Sequence, residues 1–322
     1  GWAERGLVES AFLDWLEDEG RVSFPWSMID KITPHPSERV QEELGRLGVA
    51  DMAIARTNTG TLIAPFVNAE ITEYLVLEDA FPNGRPALEG AGVYLTDRTT
   101  VEKAEKMKVG TCLNPLHTAL AVYGCLLGYT SIAAEMGDAD LKALVEHIAA
   151  ESLPVVEDPG ILSPRAFIDE VLHERFPNPA IPDTPQRIAA DTSQKLPVRY
   201  GGTLRRYARQ SEQALAGLEF APLVFAGWCR YLLGVDDRGN AMPVSPDPML
   251  PQLQAHLKGI EVGRPDSLAG QLRPILSNAA LFGVDLYAAG LGERTEEMFR
   301  DMLAGPGAVR ATLHRNCACK QP

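Results

Sequence analysis

The chain has 322 residues, of which 45% are hydrophobic, and its formal net charge at pH 7 is −13, from 30 Lys and Arg against 43 Asp and Glu. This length and hydrophobic content are enough to bury the core of one large or two ordinary domains. The negative charge argues against general binding to nucleic acid or to a membrane surface, because both need a surplus of Lys and Arg. An anionic ligand therefore requires a local basic cluster.

Membrane insertion and secretion are not expected from the sequence. The longest apolar run, residues 118–129, is shorter than the ~20 residues that a membrane-spanning helix needs. The N-terminus carries Glu4, Glu9 and Asp14, where a secretion signal would be basic and then apolar. These features predict a cytoplasmic protein with no membrane partner and no nucleic-acid partner.

Five cysteines are scattered along the chain, at Cys112, Cys125, Cys229, Cys317 and Cys319. An odd number with such spacing is unlike the dense, even pattern of small disulfide-bonded domains, so reduced thiols are expected. Cys317 and Cys319 near His314 are a partial metal-ligand set, but a fourth ligand is missing and adventitious binding explains it better. We predict no metal site and assign no function to the tail at residues 317–322.

Short strands and one helix are predicted in the first hundred residues. Apolar residues at helical spacing predict a helix within residues 2–19. Short apolar runs bounded by turn signals predict strands at residues 22–24, 62–65, 73–77 and 92–95. None of these runs belongs to a repeating βαβ pattern, so the pattern of this part does not predict a complete nucleotide-binding domain.

Helical patterns dominate after residue 100. Apolar periodicity with Pro and Gly between segments predicts helices at residues 114–127, 139–151, 164–175, 204–218, 223–233, 248–258 and 296–303. The sequence contains neither a Gly-x-Gly-x-x-Gly turn between strand and helix nor a Walker-type loop, so it has no recognisable nucleotide cradle of its own. The chain is therefore predicted to be mainly α-helical.

The stretch KVGTCLNPLHT at residues 108–118 carries the most chemically informative side chains. Asn114 and His117 are three positions apart at the start of an apolar helix, which places an amide and an imidazole on one face. Asn114 is expected to be the N-cap, with Pro115 as the first helical residue. Spacing alone favours a capping asparagine and a core histidine. Lys108 shifts the balance toward a site, because a partly buried lysine near a helix start can serve as a base.

A second basic cluster follows at residues 187–199. Arg187 and Asp191 are four positions apart, and an ordinary ion pair on a helix surface is the simplest explanation for them. Lys195 and Arg199 are a candidate anion site in a chain of net charge −13, although a solvated face explains either residue alone. Spacing therefore leaves both interpretations open for this cluster.

The third feature is VSFPWSMIDKITP at residues 22–34, an apolar strand that ends in the carboxylate of Asp30. A carboxylate at the end of a strand can orient a hydroxyl group of a ligand. It can also pair with the adjacent Lys31 or cap a turn. The residues alone do not separate these three roles for Asp30.

Together these stretches resemble the long-chain mannitol dehydrogenase family of NAD(P)-dependent polyol and hexuronate oxidoreductases. The family shows Phe-Pro-x-Ser-Met-(Val/Ile)-Asp-(Arg/Lys)-Ile-Thr-Pro, here at residues 24–34, and an acidic-aromatic stretch, here LEDAFPNGRP at 77–86. Its Leu-Asn-x-x-His helix start matches residues 113–117, and Asn-Pro-x-Ile-x-Asp with Arg-Ile-Ala and Ser-x-Lys-x-Pro matches 178–197. The match extends through WCRYLLGV at 228–235 and so covers most of the chain in collinear order.

The resemblance implies roles for individual residues. It makes Lys108 the general base toward the substrate hydroxyl, while Asn114 and His117 bind the reacting oxygen and its neighbours. An amide donor beside a lysine suits this chemistry, because the oxygen acquires alkoxide character as the hydride moves. The other implied contacts are Asp30, Arg187 and Lys195 to the substrate or nicotinamide region, and Ile29 with Asp30 to the cofactor.

One departure from the family concerns spacing. The family usually places four residues between its lysine and its asparagine, whereas five separate Lys108 from Asn114 here. Val109 occupies the strict position, but the Met107-Lys108 pair matches the local context of the family. We therefore assign the base to Lys108 and predict a one-residue bulge near Gly110.

The resemblance also implies a fold and a domain organisation. Residues 106–322 are expected to form a helical substrate-binding and catalytic domain of the mannitol dehydrogenase type, similar to the C-terminal domain of 6-phosphogluconate dehydrogenase. Residues 1–105 are expected to be the α/β tail of an NAD-binding Rossmann-type domain. Family members begin with that nucleotide-binding domain, and its core is expected as a missing partner of this chain. We expect the active site in the cleft between the two parts.

The implied activity is NAD- or NADP-dependent hydride transfer on a sugar acid. The stretches FPWSMIDK and CLNPLHTAL are more similar to the hexuronate branch, which interconverts fructuronate and mannonate, than to the mannitol branch. A mannitol-type polyol dehydrogenase or a tagaturonate reductase is the alternative. A non-catalytic helical binding or assembly module is a further alternative, favoured by the absent nucleotide fingerprint. The sequence does not choose between NAD and NADP or predict the oligomeric state.

Overall fold

The computed structural model describes residues 1–317, and the strands of this range all lie before residue 100. Residues 318–322, including Cys319 of the partial metal-ligand set and most of the tail, lie outside the described residues. The strands are β1 (Ser27–Asp30), β2 (Ala55–Arg56), β3 (Leu62–Ile63), β4 (Tyr74–Glu78) and β5 (Tyr94–Thr96).

β4 is the central strand of a three-stranded sheet. β1 pairs with it antiparallel and β5 pairs with it parallel, while β2 and β3 form a separate antiparallel hairpin. Alternation along β1 buries Met28 and Asp30 and leaves Ile29 between them 65% exposed. Met28 pairs with Val76 of β4, and both side chains lie in the core. The register of β1 therefore turns the carboxylate of Asp30 inward.

Helices make up most of the rest of the chain, which confirms the mainly α-helical prediction. They are α1 (Ser10–Glu17), α2 (Glu38–Arg46), α3 (Arg98–Met107), α4 (Asn114–Leu127), α5 (Ile132–Glu135), α6 (Ala139–Ser152), α7 (Pro164–Glu170), α8 (Pro185–Ile188), α9 (Thr192–Arg199), α10 (Gly201–Gln210), α11 (Glu212–Ala216), α12 (Phe220–Tyr231), α13 (Leu250–His256), α14 (Arg273–Leu276), α15 (Ala279–Phe282), α16 (Gly292–Met302) and α17 (Ala308–Cys317). Short 3₁₀ turns occupy Leu88–Ala91, Leu153–Val155 and Pro265–Ser267.

The centre of the helical part is formed by α4 and α12. Every residue of α12 is buried, as is every α4 residue from 115 to 126. Such helices belong in the core of a domain rather than on its surface. They approach closely because Gly227 of α12 faces the ring of Tyr123, where an added Cβ would lie 2.7 Å from the ring. The Tyr123 hydroxyl donates a hydrogen bond to the Leu223 carbonyl at 2.8 Å.

Two helices continue into π-helical turns. The first π turn, Lys108–Cys112, follows α3, and the second π turn, Val171–Arg175, follows α7. A π turn accommodates one extra residue relative to an α-helix and is frequent at functional sites. The bulge predicted near Gly110 is therefore a π turn, which holds the fifth residue between Lys108 and Asn114.

Most of the predicted helices are present. The predicted segment 114–127 coincides with α4, and 164–175 coincides with α7 together with the second π turn. The predicted continuous helix at 204–218 is wrong, because it divides into α10 and α11 at Ser211. Ser211 has an extended backbone, and its hydroxyl accepts the Ala214 N–H as the cap of α11.

The predicted strand at residues 22–24 is also wrong, since pairing with β4 begins at Ser27. Pro25 lies between the two and has no N–H to donate to a sheet. Among residues 1–317, no helix has the length and apolar character needed to cross a bilayer. Of the cysteines that the structure describes, Cys112, Cys125 and Cys229 are buried free thiols, and Cys317 is also buried.

Candidate active site

The ammonium group of Lys108 is held at the end of β1. Its Nζ donates to the carbonyl oxygen of Ile29 at 2.7 Å and lies 3.1 Å from Oδ1 of Asp30. The Lys108 side chain is only 17% exposed. Of the roles left open for Asp30, pairing with Lys31 is wrong, because Lys31 binds Glu73 at 2.8 Å instead. The structure thus brings together three of the sequence-predicted site residues.

Asp30 also binds a second cation, which the sequence analysis missed. Its Oδ2 accepts a hydrogen bond from Nη1 of Arg175 at 2.7 Å. Nε and Nη2 of Arg175 donate to the two oxygens of Glu70 at 2.9 and 2.7 Å. Asp30, Glu70 and Arg175 are each buried. Two carboxylates and two cations balance one another here, as buried charges must if the fold is to tolerate them.

His117, on α4, belongs to a second group of charges. Its Nε2 is 3.4 Å from Oδ2 of Asp183, and Arg187 donates from Nε and Nη2 to the same carboxylate at 2.7 Å each. Burial lowers the pKa of His117 more than Asp183 raises it. A neutral ring that donates from Nε2 has its proton there, which leaves Nδ1 as an acceptor. Asp183 is thus a further site residue that the sequence analysis missed.

The predicted ion pair between Arg187 and Asp191 is wrong. Asp191 has a φ of 52°, in the left-handed region, so it does not continue the short helix α8 that carries Arg187. Arg187 pairs instead with Asp183, four positions before it. Burial alone would raise the pKa of Asp183, but the hydrogen bonds from His117 and Arg187 lower it below the ordinary value. Asp183 therefore remains ionised between its two partners.

Asn114 is the first residue of α4, and Leu113 is the N-cap, so the predicted capping role of Asn114 is wrong. Its carbonyl oxygen accepts the Thr118 hydroxyl at 3.0 Å and lies 3.4 Å from Nη1 of Arg199. Arg199 also donates to the Thr118 hydroxyl at 2.6 Å. Within residues 1–317, no protein group hydrogen-bonds the side-chain amide of Asn114. That amide is available to a ligand.

Lys195 of α9 is bound by the main chain. Its Nζ donates to the carbonyl oxygens of Ile188, the last residue of α8, and of Ala190, just after that helix. Burial, followed by the positive charge of Arg199, lowers the pKa of Lys195 to about 8. Burial is therefore the main influence on the ionisation of this amine.

A narrow cleft joins the two groups of charges. His117 and Asp183 contribute to its lining, and so does Arg175, which links the cleft to Asp30 and through it to Lys108. The full lining is Ile32, His117, Ile132, Arg175, Phe176, Asn178, Ile181 and Asp183. Arg187 reaches this cleft only through Asp183. Among residues 1–317, no group of three or more His, Cys, Asp or Glu side chains is arranged to hold a metal ion.

Two kinds of sequence comparison identify relatives of this chain. The family model for the mannitol dehydrogenase C-terminal domain matches residues 100–295. D-mannonate oxidoreductase of Thermotoga maritima is 57% identical over 314 residues, which are 97% of this chain and 58% of the relative. D-mannonate oxidoreductase of Escherichia coli is 33% identical over 275 residues, 84% of this chain and 50% of the relative. The chain thus spans about half the length of these curated relatives.

Solved structures show the same fold. The ternary complex of Pseudomonas fluorescens mannitol 2-dehydrogenase with NAD and D-mannitol superimposes with a TM-score of 0.72 at 30% identity, over 99% of this chain and 58% of that one. A substrate-free D-sorbitol dehydrogenase matches with a TM-score of 0.75 at 24% identity, over 96% of this chain and 57% of that one. From the family match over residues 100–295 and these relatives, the chain belongs to the mannitol dehydrogenase family.

Proposed function

We propose that this chain carries the catalytic and substrate-binding part of an NAD-dependent oxidoreductase that interconverts mannonate and fructuronate by hydride transfer. The observation that carries the proposal is the Lys108 amine, held between the Ile29 carbonyl and Asp30 at the buried end of β1. Similarity to two D-mannonate oxidoreductases supports a sugar acid as substrate. The helical catalytic domain is proposed to comprise residues 106–322, with 1–105 as the tail of a nucleotide-binding domain.

The residues of the site divide the chemistry between them. In the oxidation direction, the deprotonated Nζ of Lys108 takes the proton of the substrate hydroxyl and becomes the ammonium that Ile29 and Asp30 hold, and in the reduction direction that ammonium returns the proton. The free amide of Asn114 donates to the same oxygen as it acquires alkoxide character. Neutral His117, held by Asp183, accepts from a neighbouring hydroxyl through Nδ1. The nicotinamide cofactor, when bound, would accept the hydride as NAD in the oxidation direction and donate it as NADH in the reduction direction.

The end of β1 suits a nicotinamide ring. Ile29 offers an exposed apolar side chain at the point where its own carbonyl holds Lys108. Apolar side chains beside a few polar groups are typical of ligand sites. Ile29 and Asp30 are therefore the proposed cofactor contacts. NAD is favoured over NADP because the Pseudomonas fluorescens relative was solved with NAD.

Substitution of Lys108 tests this proposal. In the protein that carries this chain, Lys108→Ala is expected to lower turnover by about 10²- to 10⁴-fold, the usual contribution of a general base. NADH binding, measured by fluorescence titration, is expected to stay unchanged because the amine abstracts a proton and does not hold the cofactor. Lys31→Ala is the matched control, since Lys31 follows Asp30 but pairs with Glu73. Unchanged turnover in Lys108→Ala removes Lys108 from the mechanism.

A second candidate substrate is a mannitol-type polyol. It is favoured by the ion pair of Arg187, because Nε and Nη2 of this residue already bind Asp183 and are not free for a substrate carboxylate. Comparison of kcat/KM for fructuronate with that for fructose separates the two substrates. Arg187→Lys is expected to raise the KM for fructuronate if the guanidinium exchanges Asp183 for the substrate, since lysine cannot form the bidentate contact. An unchanged KM excludes that contact.

A further inference from the structure

A groove of about 460 Å³ lies beside the first π turn, outside the site described above. It is formed where α3 and the π turn meet α9 and α10. None of the proposed site residues lines it. Its lining is Glu105, Lys106, Val109, Gly110, Glu157, Pro197, Val198, Gly202, Arg205, Arg206 and Arg209.

The arginine groove, defined by this lining, has a positive balance of charge. Four cationic side chains face two carboxylates, in a chain of net charge −13. Glu157 is shared between Arg206 at 2.9 Å and Lys106 at 3.8 Å. Arg205 and Arg209 form no ion pair within residues 1–317. A local positive surface of this kind is what an anion requires in an otherwise acidic protein.

Arg206 has fewer hydrogen-bond acceptors than its guanidinium group can use. Its side chain is 18% exposed, and of its three guanidinium nitrogens only Nη1 has an acceptor in the described part of the chain, on Glu157. Nε is buried with no partner among residues 1–317. Burial lowers the pKa of Arg206, and the charges of Arg205 and Arg209 act in the same direction. Buried polar groups in proteins are nearly always paired, so the guanidinium is only partly satisfied by Glu157.

Two glycines keep the space beside Arg206 open. A Cβ added at Gly202 would lie 3.5 Å from Nη1 and Nη2, and one at Gly110 would lie 3.9 Å from Nη2. A larger side chain at either position would extend over the guanidinium. The Thr203 hydroxyl donates to the Gly110 carbonyl at 3.0 Å and holds the π turn against α10. The groove is therefore a fixed feature between two packed elements.

We propose that the arginine groove binds a small oxyanion, a carboxylate or a phosphate, through the guanidinium of Arg206, with Arg205 and Arg209 adding positive charge. Guanidinium groups bind these anions with paired, charge-assisted hydrogen bonds. Two sources supply this chemistry, the carboxylate of a sugar acid and free phosphate. The inference goes beyond the proposed function, because it does not depend on Lys108 acting as a base.

Thermal unfolding of this chain tests the inference. Inorganic phosphate and D-mannonate are the probes, with D-mannitol as an uncharged control and chloride at matched ionic strength as a salt control. A ligand that binds only the folded state raises the Tm, so a rise is expected with an oxyanion and not with the controls. A rise with phosphate that the groove variants lose assigns the groove to free oxyanions, and a rise with mannonate alone that those variants lose assigns it to a sugar acid. No rise with either anion overturns the proposal.

Groove variants separate binding in the groove from binding elsewhere. Arg209→Ala removes an exposed side chain that has no ion pair within residues 1–317. Arg206→Lys keeps the positive charge beside Glu157 but loses the paired N–H donors of the guanidinium group. Arg206→Lys is expected to weaken the apparent Kd by about tenfold or more, the loss of one charge-assisted hydrogen bond. Arg39→Ala, an exposed change on α2, is expected to keep the full rise in Tm. Equal shifts in the parent and both groove variants overturn the proposal and identify a general salt effect.

Discussion

The carboxylate of Asp30 binds Lys108 with one oxygen, at 3.1 Å, and Arg175 with the other, at 2.7 Å. Lys108 is the first residue of the first π turn, and Arg175 is the last residue of the second. One buried carboxylate thus connects both irregular turns to β1. The same contact orients the amine that we propose as the base.

Removal of the Arg175 guanidinium is expected to lower the free energy of unfolding strongly. Arg175→Met leaves Asp30 and Glu70 buried without their shared guanidinium, and loss of one partner from a buried ion pair costs about 3–5 kcal/mol of the free energy of unfolding. Urea denaturation monitored by circular dichroism measures the loss. The control is Lys31→Met at the Lys31–Glu73 pair, where Glu73 is 72% exposed and the cost is expected to be at most about 1 kcal/mol. Equal losses in the two variants would contradict the buried network.

His117 is expected to make stability depend on pH in the mildly acidic range. Burial lowers its pKa below the ordinary 6.5. Below pH 6.5 the unfolded chain therefore binds a proton that the folded chain does not, and stability falls as the pH decreases toward the folded pKa. His117→Gln is expected to flatten this dependence. The free energy of unfolding of both proteins, measured from about pH 7.5 to about pH 5, checks it; parallel curves would show that His117 is not responsible.

Glu135 is expected to make stability fall as the pH rises, which is opposite to the effect of His117. Both of its carboxylate oxygens are buried without a hydrogen-bond partner among residues 1–317, and burial raises its pKa to about 9 from 4.5. The folded chain thus holds a proton that the unfolded chain releases, and stability falls as the pH rises through this window, by at most about 1.4 kcal/mol per pH unit. Glu135→Gln cannot ionise and is expected to be more stable at neutral and higher pH. Urea denaturation of both proteins over that range is the measurement, and a wild-type curve that stays level would refute the assignment.

The side chain of Glu135 leaves no room for a side chain at position 124. A Cβ added at Gly124 of α4 would lie 2.1 Å from Oε1 of Glu135, so Gly124→Ala is expected to cost about 1–3 kcal/mol of the free energy of unfolding through overpacking. Gly45→Ala on α2, where nothing lies within 4 Å, is the control and is expected to be neutral or stabilising.

Shortening the Glu135 side chain is expected to reduce the stability cost of the Gly124 substitution. In the double variant Gly124→Ala/Glu135→Ala, the clashing carboxylate is absent, and the combined cost is expected to be smaller than the sum of the single costs. Chemical denaturation of the two single variants and the double variant gives this coupling. Additive costs would show that the Gly124 substitution acts elsewhere than on Glu135.

Some site residues were within reach of sequence reasoning and others were not. Asp183 stands in the Asn-Pro-x-Ile-x-Asp motif that identifies the family, so its motif was a signal for its role. Glu70 and Arg175 lie outside the matched motifs and are 105 positions apart in the chain. No spacing rule relates side chains at such separations, because only the tertiary packing of the segments that carry them brings them together.

The helical architecture, the order of the family motifs and the candidates Lys108, Asn114 and His117 could all be predicted from the amino-acid sequence. These features follow from local periodicity and from linear motifs, which the chain contains before it folds. The partner of each charge is visible only in the folded chain: Asp30 pairs with Lys108 and Arg175, and Arg187 pairs with Asp183 instead of Asp191. Partner choice depends on which buried charges must neutralise each other once water is excluded, and that is set by the packing of distant segments.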